Sequence, residues 1–277
     1  CLSRGLGDVY KRQGKYSVKN LRFQDLLENI IQNKIVLTKF VVPEGYNMYQ
    51  IAKLIQNANL GLETEFLEMC QNREFIESLG LSFSSLEGFL YPEGYMFSEV
   101  DGVKNIIRKM VSTYMEAYNK HIKPLEYRTK LNAREIQILA SVVEKETGAE
   151  FERPMIASVF LNRLRIGMRL QSDPTTIYGL LPGYDGNLKR EHLLQKNDHN
   201  TYGMHGLPKG PIANPGLDAL RAVVEPADSP YLYFVSKNDG THVFSTNLKD
   251  HNNAVTEWQR TRSNRVGKSW RDLKKSK

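Results

Sequence analysis

Two acids end an apolar run in LNAREIQILASVVEKETG, residues 131–148. A carboxylate set among such side chains has its ionised form disfavoured by desolvation, which raises its pKa toward the range of a general acid. On a regular helix Gln137, Ser141, Glu144 and Gly148 fall at steps of four, three and four. They form one narrow face of small or polar groups amid Ile, Leu and Val. That face is expected to border a polar cleft, and Glu144, beside Ala140 and Val143, is the candidate acid. Glu146 lies about 200° further around at about 100° per residue, so the two carboxylates cannot enter one cleft from a regular helix. The pair also reads as solvated acids in a last helical turn, where they oppose the macrodipole at a cost of about 0.3–1 kcal/mol.

Other chemical signatures are sparse. The chain has no GxGxxG or GxxxxGK loop, no HExxH and no GxSxG elbow. His199 and His205 share a loop, but no carboxylate stands at a metal-site spacing, so neither a metal nor a cofactor is indicated. That loop, NTYGMHGLPKGPIANPG (200–216), holds four Gly and three Pro in seventeen residues. Its length suits a binding or active-site loop, or alternatively a rigid surface Ω-loop.

The elements that would position these groups follow from periodicity and caps. Asn132 can cap the helix that ends near Gly148; a second helix begins near Pro154 and stops at Gly167. Asp173-Pro174 and Asn214-Pro215 each signal a helix start. YLYFVS and THVFST flank KNDG, a hairpin signal because Asp-Gly tolerates positive φ. Upstream, KYSV and KFVV each open a strand-turn-helix unit, echoed at a shift of 24 residues. Helices are further expected over 64–79 and 103–118, with a mixed strand and turn segment, SSLEGFLYPEGYMF, between them.

With 277 residues, 40% hydrophobic and 25% charged, the chain can bury a substantial core in two domains, which excludes collagen-like and wholly disordered readings. Its net charge of +7 is a property of the end: Trp258–Lys277 carries eight basic residues and one acidic, leaving thirty against thirty upstream. A folded nucleic-acid-binding face is therefore not expected. Cys1 and Cys70 supply no disulfide framework or CxxC site. The longest strongly apolar stretch, 136–143, is far short of the roughly 20 residues that span a bilayer. The opening CLSRGLGDVYKRQ has no clear period and reads as extraneous.

Five segments, in order, carry a resemblance: LEGFLYPEGYMF (86–97), ILASVVEKET (138–147), ASVFLNRLRIGMRLQSDPTTIYG (157–179), NTYGMHGLPKGPIANPGLDAL (200–220) and YLYFV followed by GTHVF (231–244). Together they resemble the endolytic murein transglycosylases, the YceG-like or MltG family. The resemblance implies an α+β fold, with a LysM-like α/β subdomain over 14–100 and a mixed α+β catalytic domain over 101–257. Residues 1–13 then stand outside the fold and 258–277 form a basic flexible tail, a solubilising extension or a contact to anionic polymers or membrane.

The resemblance further implies cleavage of the MurNAc-GlcNAc β-1,4 bond within nascent glycan strands, leaving 1,6-anhydro-MurNAc ends and terminating elongation. The first Glu of ASVVEKE is the family's catalytic acid, here Glu144, with Glu146 in reserve. One carboxylate serving as acid and then base suits closure by the muramic C6 hydroxyl better than hydrolysis, which ordinarily takes a pair; Asp173 or Glu93 is the residue that could supply a partner. Gln171, Asp173, Asn200 and Tyr202 are the expected sugar contacts, and Arg163, Arg165 and Arg169 could meet stem or lactyl carboxylates. The expected partners are peptidoglycan glycan strands and the peptidoglycan synthases, with no nucleic acid. A single-pass anchor in the bacterial inner membrane, upstream of this sequence, would leave the catalytic domain facing the periplasm or exterior. A muramidase using water and a non-catalytic peptidoglycan-binding module are the alternatives.

Overall fold

The computed structural model describes residues 16, 22–32, 35–146 and 149–261. Residues 1–13, the KYSV strand apart from Tyr16, Thr147, Gly148 and the basic tail beyond 261 lie outside the described residues. The chain forms two compact units, Cys1–Tyr114 and Met115–Lys277.

The first unit contains α1 (Phe23–Ile31), β1 (Thr38–Val41), α2 (Met48–Asn57), α3 (Glu63–Gln71), α4 (Arg73–Ser78), β2 (Gly94–Phe97) and the opening turns of α5 (Gly102–His121). β1 and β2 pair antiparallel with Phe40 opposite Tyr95, so alternate residues Phe40, Tyr95 and Phe97 point inward. Ile51 and Ile55 of α2, Phe66 of α3 and Ile106, Ile107 and Met110 of α5 are buried as well. Full burial of each such side chain contributes about 1.5–3 kcal/mol. The α2 start is held twice: Asn47 Oδ1 accepts from the Gln50 amide at 2.9 Å, and buried Glu87 accepts from the Met48 amide at 3.0 Å. The single helix expected over 64–79 is instead two, because Asn72 takes an extended conformation and caps α4 by accepting from the Phe75 amide.

The second unit continues α5 and adds a 3₁₀ turn (Lys123–Arg128), α6 (Ala133–Glu146), a short 3₁₀ turn (Glu150–Glu152), α7 (Arg153–Arg165), α8 (Asp173–Gly179), α9 (Arg190–Leu194) and α10 (Leu217–Val224). The hairpin β3 (Tyr233–Ser236) and β4 (His242–Ser245), α11 (Leu248–Val255) and a π-helical turn (Thr256–Arg260) close it. α6 is the central element: every residue from Ile136 to Val143 is buried, and it packs on α7 and α10. Asn132 caps it as expected, exchanging hydrogen bonds with Glu135 at 2.9 and 3.0 Å. The KNDG turn forms the β3–β4 hairpin, with Asn238 and Gly240 at positive φ. α10 begins at Leu217 behind Gly216, two residues later than the Asn214-Pro215 signal suggests. Trp258 and Gln259 dock on the hairpin, through Asn238 Nδ2 donating to the Trp258 carbonyl and Gln259 Nε2 donating to that of Ser236. The mixture of helices with two small sheets is an α+β fold. No helix among the described residues is long and apolar enough to cross a membrane.

Candidate active site

The polar face chosen from the spacing of α6 is closed, not open. Ser141 Oγ accepts from the Ile212 amide at 3.0 Å, and Glu144 Oε2 accepts from the Gly216 amide at 3.2 Å, so the end of the Gly/Pro loop seals against it. Glu144 Oε1 pairs with Arg153 Nη2 at 3.1 Å, and the two side chains are 6% and 8% exposed. This corrects the expectation that the Gln137–Ser141–Glu144 face borders a cleft. Glu144 instead ties α6, the start of α7 and the start of α10 together.

Glu146, on the other side of the helix, lines an open cleft of about 350 Å³. Ser172 Oγ, from the cap of α8, donates to Glu146 Oε1 at 2.6 Å. Desolvation pushes the Glu146 pKa up to about 7, with Asp173 adding to the rise while the Ser172 hydrogen bond and Arg163 oppose it. A carboxyl poised there is half protonated near neutral pH and can both give and take a proton.

The surrounding wall comes from four elements. Asp173, the first residue of α8, accepts from the Tyr202 hydroxyl at 2.6 Å, and both line the cleft with Glu146. Gln171 also lines it and holds φ +48, an uncommon conformation for a residue with a Cβ. Its amide donates to the Thr201 carbonyl. Arg163 from α7 is buried, donating through Nε to the Leu232 carbonyl at 2.6 Å and through Nη1 to the Leu170 carbonyl. Its guanidinium lies 5.4 Å from the Tyr233 ring centroid, a cation–π arrangement. Arg165 and Arg169 are exposed; Arg165 donates to Asn162 Oδ1 and Arg169 to the Tyr202 carbonyl.

Of the four expected sugar contacts, three reach the cleft and one does not. Asn200 is 1% exposed, and its Nδ2 donates to the carbonyls of His192, Leu193 and Gln195 at the end of α9. Its Oδ1 accepts from Thr176 Oγ1 and from the Tyr202 amide. Asn200 is thus the anchor that fixes the loop carrying Tyr202, a correction that follows from its five hydrogen bonds. Glu93 belongs to the first unit, in the turn before β2.

Three further polar side chains line the cleft without a signal in the sequence: Tyr233 of β3, and His251 and Asn252 of α11. The hairpin signal covered Tyr233 but gave no reason to turn it toward an acid. α11 carries one local signal, Asn247 followed by Asp250, a cap pattern realised as Asn247 Oδ1 accepting from the Asp250 amide at 3.0 Å. Among the described residues no group of three metal-ligating side chains converges.

Comparison with known proteins agrees with this architecture. The YceG-like family model matches residues 6–257. An endolytic murein transglycosylase of Bacillus subtilis is 32% identical over 238 residues, 79% of this chain and 65% of that protein. One of Streptococcus pneumoniae D39 is 30% identical over 282 residues, covering 89% of this chain and 50% of its own length. The chain therefore spans about half to two thirds of the length of these curated relatives. The crystal structure of a yceG-like protein from Listeria monocytogenes is similar with a TM-score of 0.72 at 31% identity, over 84% of this chain and 81% of that one. On the match across residues 6–257 and the shared fold, the chain belongs to the YceG-like family.

Proposed function

We propose that the second unit is the catalytic unit of a peptidoglycan lytic transglycosylase, with Glu146 as its acid and base. The observation that carries this reading is a single carboxyl held near pKa 7 at the edge of a cleft, beside tyrosines that can stack on sugars. The relatives named endolytic murein transglycosylases support the substrate class. Protonated Glu146 gives its proton to the oxygen of the MurNAc-GlcNAc bond as that bond breaks. The carboxylate left behind then takes the proton of the muramic C6 hydroxyl, which attacks C1 and closes the 1,6-anhydro ring. Water is not consumed and Glu146 returns to its starting protonation. Ser172 steadies the carboxylate between the two transfers. Strand termination follows from cuts within nascent chains.

Glu144 keeps an architectural part in this proposal, since its two oxygens are committed to Arg153 and the Gly216 amide. The LysM-like reading of the first unit rests on antiparallel β1 and β2 with helices between them, and assigns that unit to glycan binding. A membrane anchor outside this sequence, an exterior-facing catalytic unit and work beside the peptidoglycan synthases complete the proposal.

A water-using muramidase is the second reading, favoured by Asp173 lining the same cleft. Mass spectrometry of glycan strands treated with the chain separates the two. Anhydro-ended internal fragments, lost with Glu146→Gln, are expected; reducing ends would establish the hydrolase, and absence of any cleavage would favour a binding module.

A further inference from the structure

We infer that His251 is a substrate-recognition residue, giving a hydrogen bond to the amino sugar that lies in the Glu146 cleft. This inference rests on the glycan reading of that cleft.

His251 lines the cleft from α11. Its ring stacks on Tyr233, with centroids 5.2 Å apart and planes 25° from parallel. Tyr233 is in turn fixed by Arg163, whose guanidinium is held by two backbone carbonyls. The imidazole is thus oriented before any ligand arrives, which removes much of the entropy cost of using it.

The Nδ1 atom is buried and has no hydrogen-bond partner among the described residues. A buried polar atom left unpaired costs about 1–3 kcal/mol, so the orphan nitrogen calls for a partner that the described residues themselves do not supply. Desolvation, with the Arg163 charge adding to it, lowers the pKa of the ring below its ordinary 6.5. Near neutral pH the imidazole is uncharged, with one donor and one acceptor nitrogen, a set that matches the hydroxyl and acetamido groups of an amino sugar. Asn252 stands beside it at the cleft, exposed and able to take a further contact.

The test separates stacking from hydrogen bonding. In the whole chain carrying Glu146→Gln, affinity for purified uncrosslinked glycan strands is measured by calorimetry, with and without His251→Phe or His251→Asn. His251→Phe keeps a ring on Tyr233 and deletes the nitrogens, while His251→Asn keeps a polar group near Nδ1 and gives up the stack. The expected result is about tenfold weaker binding with His251→Phe, the worth of one hydrogen bond, and partial recovery with His251→Asn. In the chain with Glu146 intact, His251→Phe should raise KM more than it lowers kcat.

Unchanged affinity with His251→Phe overturns the inference. So does failure of both substituted chains to fold, which would assign the side chain to packing. If the Glu146→Gln chain binds glycan in a His251-dependent way but the unaltered chain cleaves nothing, the lyase reading fails and this inference stands. If cleavage is seen and His251→Phe binds as tightly, only this inference fails. If the Glu146→Gln chain binds no glycan strand, the cleft has another ligand and the inference is overturned.

Discussion

Glu144 and Glu146 leave the last turn of α6 two residues apart and meet opposite surroundings. Glu144 faces the end of the Gly/Pro loop, where a buried guanidinium and a backbone amide occupy its oxygens. Glu146 faces a cleft, where one hydroxyl is its hydrogen-bond partner and burial holds its proton to about pH 7. A buried carboxylate given a cation becomes a tie between elements; one given burial and a weak donor becomes a proton carrier. Burial alone does not set what an acid can do, because its neighbours decide whether the charge is spent on structure.

The largest effect that could break this contrast is on rate. Glu146→Gln should lower cleavage by about 10²–10⁴-fold, the usual worth of general acid–base catalysis, with the melting transition retained. Anhydro-end counting by mass spectrometry against a thermal melt reads both. Equal activity would dissolve the contrast.

Glu144→Gln should act on stability instead. Removing the negative charge from beside buried Arg153 should cost on the order of 3 kcal/mol in a denaturant titration, with residual activity tracking the folded fraction. A stable but inactive Glu144→Gln chain would return the catalytic role to Glu144.

The proton carrier also leaves a signature in the pH dependence of folding. Its pKa rises on folding from the ordinary 4.5 to about 7, so the stability it contributes is full below about 4.5 and is lost as pH rises through about 7. Glu146→Gln should flatten that loss. Ser172→Ala removes a hydrogen bond that favours the ionised form, so the limb of kcat/KM governed by Glu146 should move to higher pH by about one unit. No movement would mean that Ser172 does not tune the acid.

The smallest expected effect is at the rim. Gln171 holds φ +48, so Gln171→Gly should relieve about 1 kcal/mol of backbone strain while raising KM. A chain both more stable and unchanged in KM would take Gln171 out of the substrate contacts.

Much of the second unit was legible in its residues. The Asn132 cap, the burial of 136–143, the Asp-Gly hairpin and the start of α8 at Asp173 all follow from local rules that tertiary contacts did not override. The rest was hidden for stated reasons. Asn200 and Tyr202 sit two residues apart in one loop, yet one caps α9 from the interior and the other reaches the cleft. Loop sequences carry no periodicity from which inward and outward could be told. His251 was hidden because α11 is short and polar, and its use depends on the hairpin that Tyr233 occupies.

The relative geometry of the two acids follows from their spacing: a helix of about 3.6 residues per turn sends them to different sides whatever surrounds it. Which side faces the cleft depends on long-range packing. A helix that is apolar nearly all round carries no signal for its rotation about its own axis, since burial satisfies every face alike. The Gly216 amide and Arg153 closed one face, and Ser172 with the α8–Tyr202 wall left the other open. Those groups lie between 9 and 72 residues from the acids they meet, a separation over which only folding, and no spacing rule, brings side chains together.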